Sequence, residues 1–245
     1  MIRTVWIVGA SSGIGRELAL SYAREGCKVA VSARPSDKLD EMTGQERGIS
    51  AYPMDVLKIS EFERAFKAVE KDMGVPDLVI LNAGTHSPTP AETFDRKQVN
   101  DIIAVNLTGV VNGISTVMPR FLEQKSGHLV LVASVAGYRG LPNAAAYCAS
   151  KAGVIALGES LKPALDQAGV KIQVVTPGFV RTPLTDRNDF PMPFLIEVDE
   201  AVRNIKKGIE RGGFEITFPK RFTYLLKLLR ILPYRLYFAI TRRML

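Results

Sequence analysis

The chain of 245 residues has few of the residues that build metal or disulfide sites. It contains two cysteines and two histidines, and Cys27 and Cys148 show neither a CxxC nor a metal-ligand spacing. His86 and His128 have no acidic or cysteine neighbour at ligand spacing. We therefore expect free thiols in a reducing compartment, and we predict no metal site.

The sequence also lacks export and membrane-spanning segments. The first apolar run begins at Thr4, which leaves no room for a signal peptide, and no 18 uncharged apolar residues follow one another. We therefore expect the protein to be cytoplasmic.

Acidic residues are absent from residues 219–245, a segment that we call the tail. Its seven basic residues equal the whole net charge of +7, so residues 1–218 are neutral. Leucines and aromatic residues alternate with these cations, and Pro233 divides them into two short amphipathic helices. This composition is typical of a peripheral anchor at the inner membrane surface. The alternative is that the apolar face covers the cleft or a partner subunit. Nucleic-acid binding is disfavoured, because so many leucines would have no role against phosphates.

The hydrophobic pattern predicts an α/β protein with one catalytic domain, residues 1–218, and a C-terminal amphipathic helical extension, residues 219–245. Apolar β-branched runs predict strands at 4–8, 28–32, 50–53, 77–81, 128–133, 171–176 and 214–218. Helical patterns lie near 14–25, 60–72, 97–123, 147–167 and 199–211. This alternation predicts a doubly wound, Rossmann-type parallel sheet of about seven strands, with ligands at the carboxyl ends of the strands.

A glycine-rich turn, Gly9 to Gly15, follows the first predicted strand and precedes the first predicted helix. Such a turn presents backbone N–H groups and a positive helix end to a pyrophosphate. The alternative is a tight strand-to-helix turn without a ligand.

Tyr147 and Lys151 lie four positions apart, on one face of a predicted helix. An ammonium close to a phenol lowers the phenol's pKa, which would let Tyr147 exchange protons near neutral pH. The alternative is an ordinary helix face with a solvated lysine.

The motifs GASSGIG, Asn82-Ala83-Gly84, Asn106, Ser134 and Tyr147-Cys148-Ala149-Ser150-Lys151 together resemble the short-chain dehydrogenase/reductase superfamily from Met1 to about Pro219. The resemblance implies that Tyr147 is the general acid/base, that Ser134 binds the substrate carbonyl and that Lys151 holds the nicotinamide ribose. It implies that Asn106 shapes a helix and supports a proton relay. Without the resemblance, Ser134 would be interpreted as a strand-end cap and Asn106 as a buried polar group satisfied by backbone. The resemblance also implies a homo-oligomer, a dimer or a tetramer.

The same resemblance implies a set of cofactor contacts spread along the chain. Asp55 and Val56 would hold the adenine, Asn82 the cofactor floor, and Val180 and Thr182 the carboxamide. The full predicted set is Gly9, Ser11, Ser12, Gly13, Ile14, Gly15, Arg34, Asp55, Val56, Asn82, Ala83, Gly84, Tyr147, Lys151, Pro177, Gly178, Val180 and Thr182.

Arg34 decides the predicted choice of cofactor, NADP rather than NAD. It lies 21 positions after Gly13, where an NAD site places an acidic residue. A guanidinium there can bind a 2′-phosphate with paired hydrogen bonds, with help from Ser36 or Arg16. The alternative is that Arg34 is solvated and that Asp37 binds the ribose.

These observations predict an NADP-dependent oxidoreductase that interconverts a carbonyl and a secondary alcohol. The loop from Thr182 to Val198 resembles the family's substrate lid, and its apolar residues predict a lipophilic substrate unless they pack only on the body. These apolar residues are Phe190, Met192, Phe194, Leu195 and Ile196. One alternative function is an NADP(H)-binding sensor or recruitment protein that uses its tail. Another is an epimerase or dehydratase of the same superfamily.

Overall fold

A computed structural model describes residues 2–187 and 190–244. A seven-stranded, fully parallel sheet lies at its centre, with the strand order β3-β2-β1-β4-β5-β6-β7. The strands are β1 Thr4–Val8, β2 Lys28–Ser32, β3 Ile49–Ala51, β4 Leu78–Leu81, β5 His128–Val132, β6 Lys171–Pro177 and β7 Glu215–Phe218. The doubly wound sheet predicted from the sequence is therefore confirmed.

Helices cover both faces of this sheet. They are α1 Gly13–Arg24, α2 Asp37–Gln45, α3 Ile59–Met73, α4 Arg96–Ile103, α5 Gly109–Gln124, α6 Ala145–Gln167, α7 Val198–Arg211, α8 Lys220–Ile231 and α9 Tyr234–Thr241. The sequence pattern did not predict α2, and a π-helical turn, Ala104–Thr108, separates α4 from α5. The two predicted helices of the tail are present as α8 and α9.

The strands are almost wholly apolar because both faces of the sheet are buried. One core layer includes Trp6, Phe62 and Phe121, and the other includes Ile7, Leu18 and Met42, all fully buried. Trp6 also donates a hydrogen bond from Nε1 to the Ser32 hydroxyl at 2.9 Å, which satisfies its buried polar group.

The continuous helical segment 96–124, formed by α4, the π-helical turn and α5, is long and apolar enough to cross a membrane by length and composition. In the structure its α5 portion packs in the core through Val110, Ile114, Val117 and Phe121. Burial in the core of the domain therefore accounts for these apolar residues.

The tail packs against the domain through one side only. Phe222, Leu226, Leu229 and Tyr237 belong to the same core layer as Trp6. Part of the tail's apolar character therefore comes from packing on the chain's own body, whereas the sequence alternative placed it on the cleft or on a partner subunit; no tail residue that the structure describes lines the crevice at the carboxyl ends of the strands.

Candidate active site

A crevice of about 980 Å³ opens at the carboxyl ends of the strands. The strand order reverses between β1 and β4, and in doubly wound sheets this is where ligands bind. Of the residues predicted from the sequence, the crevice is lined by Gly9, Ser11, Ser12, Gly13, Ile14, Arg34, Asp55, Val56, Asn82, Ala83, Gly84, Ser134, Tyr147, Lys151, Pro177, Gly178, Val180 and Thr182. Gly15 and Asn106 were predicted as site residues but do not line it.

The glycine turn between β1 and α1 has no room for side chains. Gly9 has a φ of 87°, and a Cβ on it would lie 2.5 Å from the backbone of Ala83. A Cβ on Gly15 would lie 2.2 Å from the Gly9 carbonyl oxygen, so Gly15 allows close packing of the helix on the turn, and it does not line the crevice. Asn82 fixes this arrangement by donating from Nδ2 to the Gly9 carbonyl at 2.7 Å.

The first turn of α1 is open toward the crevice. The Ser12 side chain makes no capping hydrogen bond, and the first turn contains no acidic residue. Bare backbone beside an uncapped helix N-terminus fits a pyrophosphate, because N–H groups and the helix dipole both favour an anion. The residues present therefore fit a dinucleotide.

Cations surround the crevice where β2 ends. Arg34, Ser36 and Lys38 all line it, whereas Asp37, the alternative ribose ligand, is not among the lining residues. Arg16 does not assist here, because its guanidinium binds Glu17 and the Gln45 side chain. The two cations outnumber Asp55, the carboxylate that lines the crevice beside them, so this end of the crevice has a net positive charge.

Ser134, Tyr147 and Lys151 meet at the opposite end. Ser134 follows β5 and also caps a 3-10 turn by accepting from Ala136 N at 3.1 Å. Tyr147 and Lys151 lie in the first turns of α6, with the Lys151 Nζ 5.8 Å from the centroid of the Tyr147 ring. Lys151 is buried and donates from Nζ to the Val132 carbonyl at 2.8 Å.

Burial sets the protonation of this pair. It raises the pKa of the Tyr147 phenol, and a hydrogen bond with Ser134 opposes that rise. Burial also lowers the pKa of Lys151 to about 8. The sequence argument expected a lowered tyrosine pKa, but in the protein alone this pKa is raised, because burial dominates and the Lys151 ammonium is directed at the Val132 carbonyl.

Asn106 lies in the π-helical turn and is fully buried. Its Oδ1 accepts from Thr85 N at 2.7 Å, and its Nδ2 donates to the Thr85 carbonyl and to the Ser150 hydroxyl. Asn106 therefore joins the loop after β4 to α6, the helix that contains Tyr147 and Lys151. Asn106 is thus a buried polar group bonded to backbone, as one of the two sequence interpretations expected.

Aromatic side chains gather beside the crevice. Phe179 packs against Phe190 and stacks on Phe222 of the tail, which also stacks on Phe194. The predicted lid is thus apolar and in contact with the body; its residues 188 and 189 lie outside the described residues. Across the site, the His86 ring packs edge-on against Tyr147, with the ring centroids 4.8 Å apart.

The sequence analysis missed several lining residues, among them Lys38, Thr85 and Leu184. Lys38 adds a second cation near Arg34, Thr85 follows the predicted Asn82-Ala83-Gly84 segment, and Leu184 follows the predicted contact Thr182. Lys38 lies in the first turn of α2, whereas Arg34 precedes that helix, so helical spacing could not have linked the two cations. No pattern in the sequence marks Leu184 either.

The chain shows similarity to known proteins over most of its length. The family model for short chain dehydrogenase matches residues 3–190. An uncharacterized oxidoreductase of Myxococcus xanthus (strain DK1622) is 40% identical, over 99% of this chain and 97% of its own. An uncharacterized oxidoreductase of Mycobacterium tuberculosis (strain CDC 1551 / Oshkosh) is 32% identical, over 95% of this chain and 94% of its own.

A solved structure shares the fold. The short-chain dehydrogenase from Sphingobium yanoikuyae in complex with NADPH superposes with a TM-score of 0.82 at 26% identity, covering 95% of this chain and 97% of that one.

Proposed function

Because the chain belongs to the short-chain dehydrogenase family, we propose that it is an NADP-dependent oxidoreductase that interconverts a carbonyl and a secondary alcohol on a lipophilic substrate. One observation carries this proposal. Ser134, Tyr147 and Lys151 converge at one end of a crevice in which the glycine turn fits the pyrophosphate of a dinucleotide. The family match makes the chain an oxidoreductase; the cofactor preference, the substrate and the residue roles are what we add.

The three side chains can perform the proton half of such a reaction. A bound nicotinamide would supply or accept the hydride. The Tyr147 hydroxyl would donate the proton to the carbonyl oxygen, or accept it from the alcohol, while the Ser134 hydroxyl holds that oxygen by a hydrogen bond. The Tyr147 phenol, whose pKa burial raises from an already alkaline value, is protonated at neutral pH, and this is the form that would donate in the direction of reduction.

Lys151 and Asn106 would act on position rather than on the substrate. The Lys151 ammonium lies beside the lining residues Gly84 and Tyr147, where it can hold a ribose hydroxyl. The hydrogen bonds of Asn106 hold α6, and with it Tyr147, against the loop after β4.

NADP is favoured over NAD by the charge at the end of β2. Arg34 and Lys38 both line that end, and a 2′-phosphate can pair with either of them. The relative from Sphingobium yanoikuyae binds NADPH, which supports the same choice.

A lipophilic substrate is favoured by the aromatic side chains around the crevice. Phe179, Phe194 and Phe222 stack in one cluster, and Phe190 packs on its edge. Phe194 and Phe190 are about half exposed, so apolar area is available to a ligand.

The test of cofactor choice combines binding and turnover. NADPH and NADH are compared with carbonyl substrates of increasing chain length, using the wild type, Arg34→Ala, Lys38→Ala and the control Lys28→Ala. Lys28 is an exposed cation at the opposite end of the same strand. Loss of a charged hydrogen bond should weaken NADPH binding in Arg34→Ala by about 1.5–3 kcal/mol, with little change for NADH. Equal weakening for both cofactors would contradict the assignment, and binding of NADPH without turnover on any carbonyl would favour the sensor alternative.

A further inference from the structure

The outward side of the tail carries a dense apolar surface. Eight large apolar side chains of α8 and α9 are between 40% and 76% exposed. They are Tyr224, Leu225, Leu228, Ile231, Tyr234, Leu236, Phe238 and Ile240, and we call them the outer tail face. They alternate with the inward residues Phe222, Leu226, Leu229 and Tyr237, so packing on the body leaves the outer tail face uncovered. Exposed apolar area of this density marks an interaction surface.

The same surface is uniformly basic. Within the part of the chain that the structure describes, Lys227 alone among the tail's seven cations forms an ion pair, with Glu215. Lys220, Arg221, Arg230, Arg235, Arg242 and Arg243 are exposed, and the tail contains no acid to neutralise them. Its partner must therefore combine an apolar interior with negative charge.

We propose that the outer tail face docks on an anionic lipid bilayer. Leucine, isoleucine and phenylalanine side chains would enter the boundary between headgroups and acyl chains, with tyrosines at the interface and the cations against lipid phosphates. The charge argues against a second copy as the occupant. A two-fold contact of tail against tail would place each tail on an identical basic surface, and neither tail has acidic residues to offset the repulsion. An acidic protein surface would pair with the cations, but it would bury less of the exposed apolar side chains than a bilayer would.

The proposal does not depend on the cofactor or the substrate. Docking requires only the exposed faces of α8 and α9, and none of the residues of the outer tail face lines the crevice. A failure of the proposed activity and a failure of docking can therefore be observed separately.

Flotation of the full-length protein with vesicles tests the proposal. Vesicles of phosphatidylcholine alone are compared with vesicles that also contain phosphatidylglycerol, at about 0.01 M and about 1 M salt, where the Debye length falls from about 30 Å to about 3 Å. We expect flotation with the anionic vesicles at low salt, release at high salt and weak flotation with neutral vesicles. Failure to float with anionic vesicles at low salt, or equal flotation with both, would overturn the proposal.

Two sets of matched variants separate the apolar from the electrostatic contribution. Arg235→Gln with Arg242→Gln removes two tail cations, and its control, Lys171→Gln with Arg203→Gln, removes two exposed cations from the body. The tail variant should lower vesicle partitioning roughly 30-fold and the control should not, because lipid attraction depends on charges at the surface. If the tail variant and the body variant lowered partitioning equally, vesicle binding would depend on the overall charge of the protein, and the proposal would be overturned.

The apolar set replaces Leu225, Leu228 and Ile231 by glutamine, and its control replaces the exposed body residues Ile59, Phe94 and Leu122 by glutamine. The tail variant should lose flotation at an unchanged melting temperature, while the control keeps both. If it instead changes the number of subunits by light scattering and vesicle binding is absent in the wild type, the face is a subunit contact. If this variant fails to fold, the charge variant decides alone.

Discussion

Tyr147 sits where burial keeps its phenol protonated, with Ser134 as a hydrogen-bond partner. Replacing it by phenylalanine keeps the ring packed against His86 and removes the transferable proton. We expect Tyr147→Phe to lower turnover by about 10²–10⁴-fold while cofactor binding changes little, because proton transfer contributes on that order. Initial rates and cofactor fluorescence titration measure the two effects. Turnover like that of the wild type, across several carbonyls, would remove Tyr147 from the mechanism.

The lowered pKa of Lys151 leads us to expect that kcat/KM depends on pH. Burial lowers the pKa of Lys151 to about 8, so the free enzyme loses this cation as the pH rises through that value. If the ammonium holds the ribose, kcat/KM should fall on the alkaline side of about pH 8. Lys151→Arg should flatten that limb at lower activity, because a guanidinium stays charged. A wild-type profile that is level across pH 8 would contradict this role.

At the scale of the elements, the sequence predicted every strand and most helices, and the reasons are visible in particular residues. The strands are β-branched apolar runs buried on both faces, such as Val29 to Val31, so local pattern and tertiary environment agree. Helix α2 escaped prediction because it buries only Leu39 and Met42, too few to give a helical period.

The π-helical turn around Asn106 could not be predicted from periodicity either. It depends on hydrogen bonds to Thr85 and Ser150, which lie 21 and 44 residues away in sequence. Asn106 was identified as a site residue through motif resemblance, but its hydrogen bonds to the loop after β4 and to helix α6 could not be derived from the sequence. The pKa of Tyr147 was mispredicted for the same kind of reason, because burial by distant segments outweighs a neighbour four positions away.

Helix α8 gives a paired prediction about stability. Leu226 is 7% exposed and packs in the core, whereas Leu228 is 55% exposed on the outer tail face. Leu226→Ala should lower the free energy of unfolding by about 2–4 kcal/mol through lost burial and a cavity. Leu228→Ala should change it by less than about 0.5 kcal/mol. Urea unfolding of both variants measures this, and equal losses would mean that α8 does not pack in this orientation.

At the scale of the whole molecule, the tail is tied to the segment that carries Ser134. The Arg139 guanidinium donates to the carbonyls of Leu229, Arg230 and Leu232 at the end of α8, and it stacks over the rings of Tyr234 and Tyr237. The Tyr237 hydroxyl donates to the Gly140 carbonyl. The positive charge at the C-terminal end of α8 also interacts favourably with the helix dipole, whose negative end lies there. The segment between Ser134 and α6 is therefore held in part by the tail.

A buried polar network adds a second connection between the tail and the sheet. The Glu215 carboxylate on β7 accepts hydrogen bonds from Lys227, Tyr138 and Thr176. Burial alone would raise the pKa of Glu215, but these partners hold it below its ordinary value. Without Lys227 the carboxylate would be half-buried beside neutral donors only, which is costly.

These connections predict the effect of ending the chain at Pro219. The truncation removes Phe222, Leu226, Leu229 and Tyr237 from the core and leaves Arg139 and Glu215 without their tail partners. We expect a melting temperature lower by about 10 °C or more, aggregation, and reduced turnover on small water-soluble carbonyls, because losses of several kcal/mol shift a chain of this size by that much. Arg139→Met in the full-length chain is the control, since it breaks one connection and keeps the apolar packing, and it should lie between the wild type and the truncation. A truncated chain that stays soluble, has the melting temperature of the wild type and retains turnover would contradict this prediction. The inward packing of the tail would then contribute little to the free energy of unfolding.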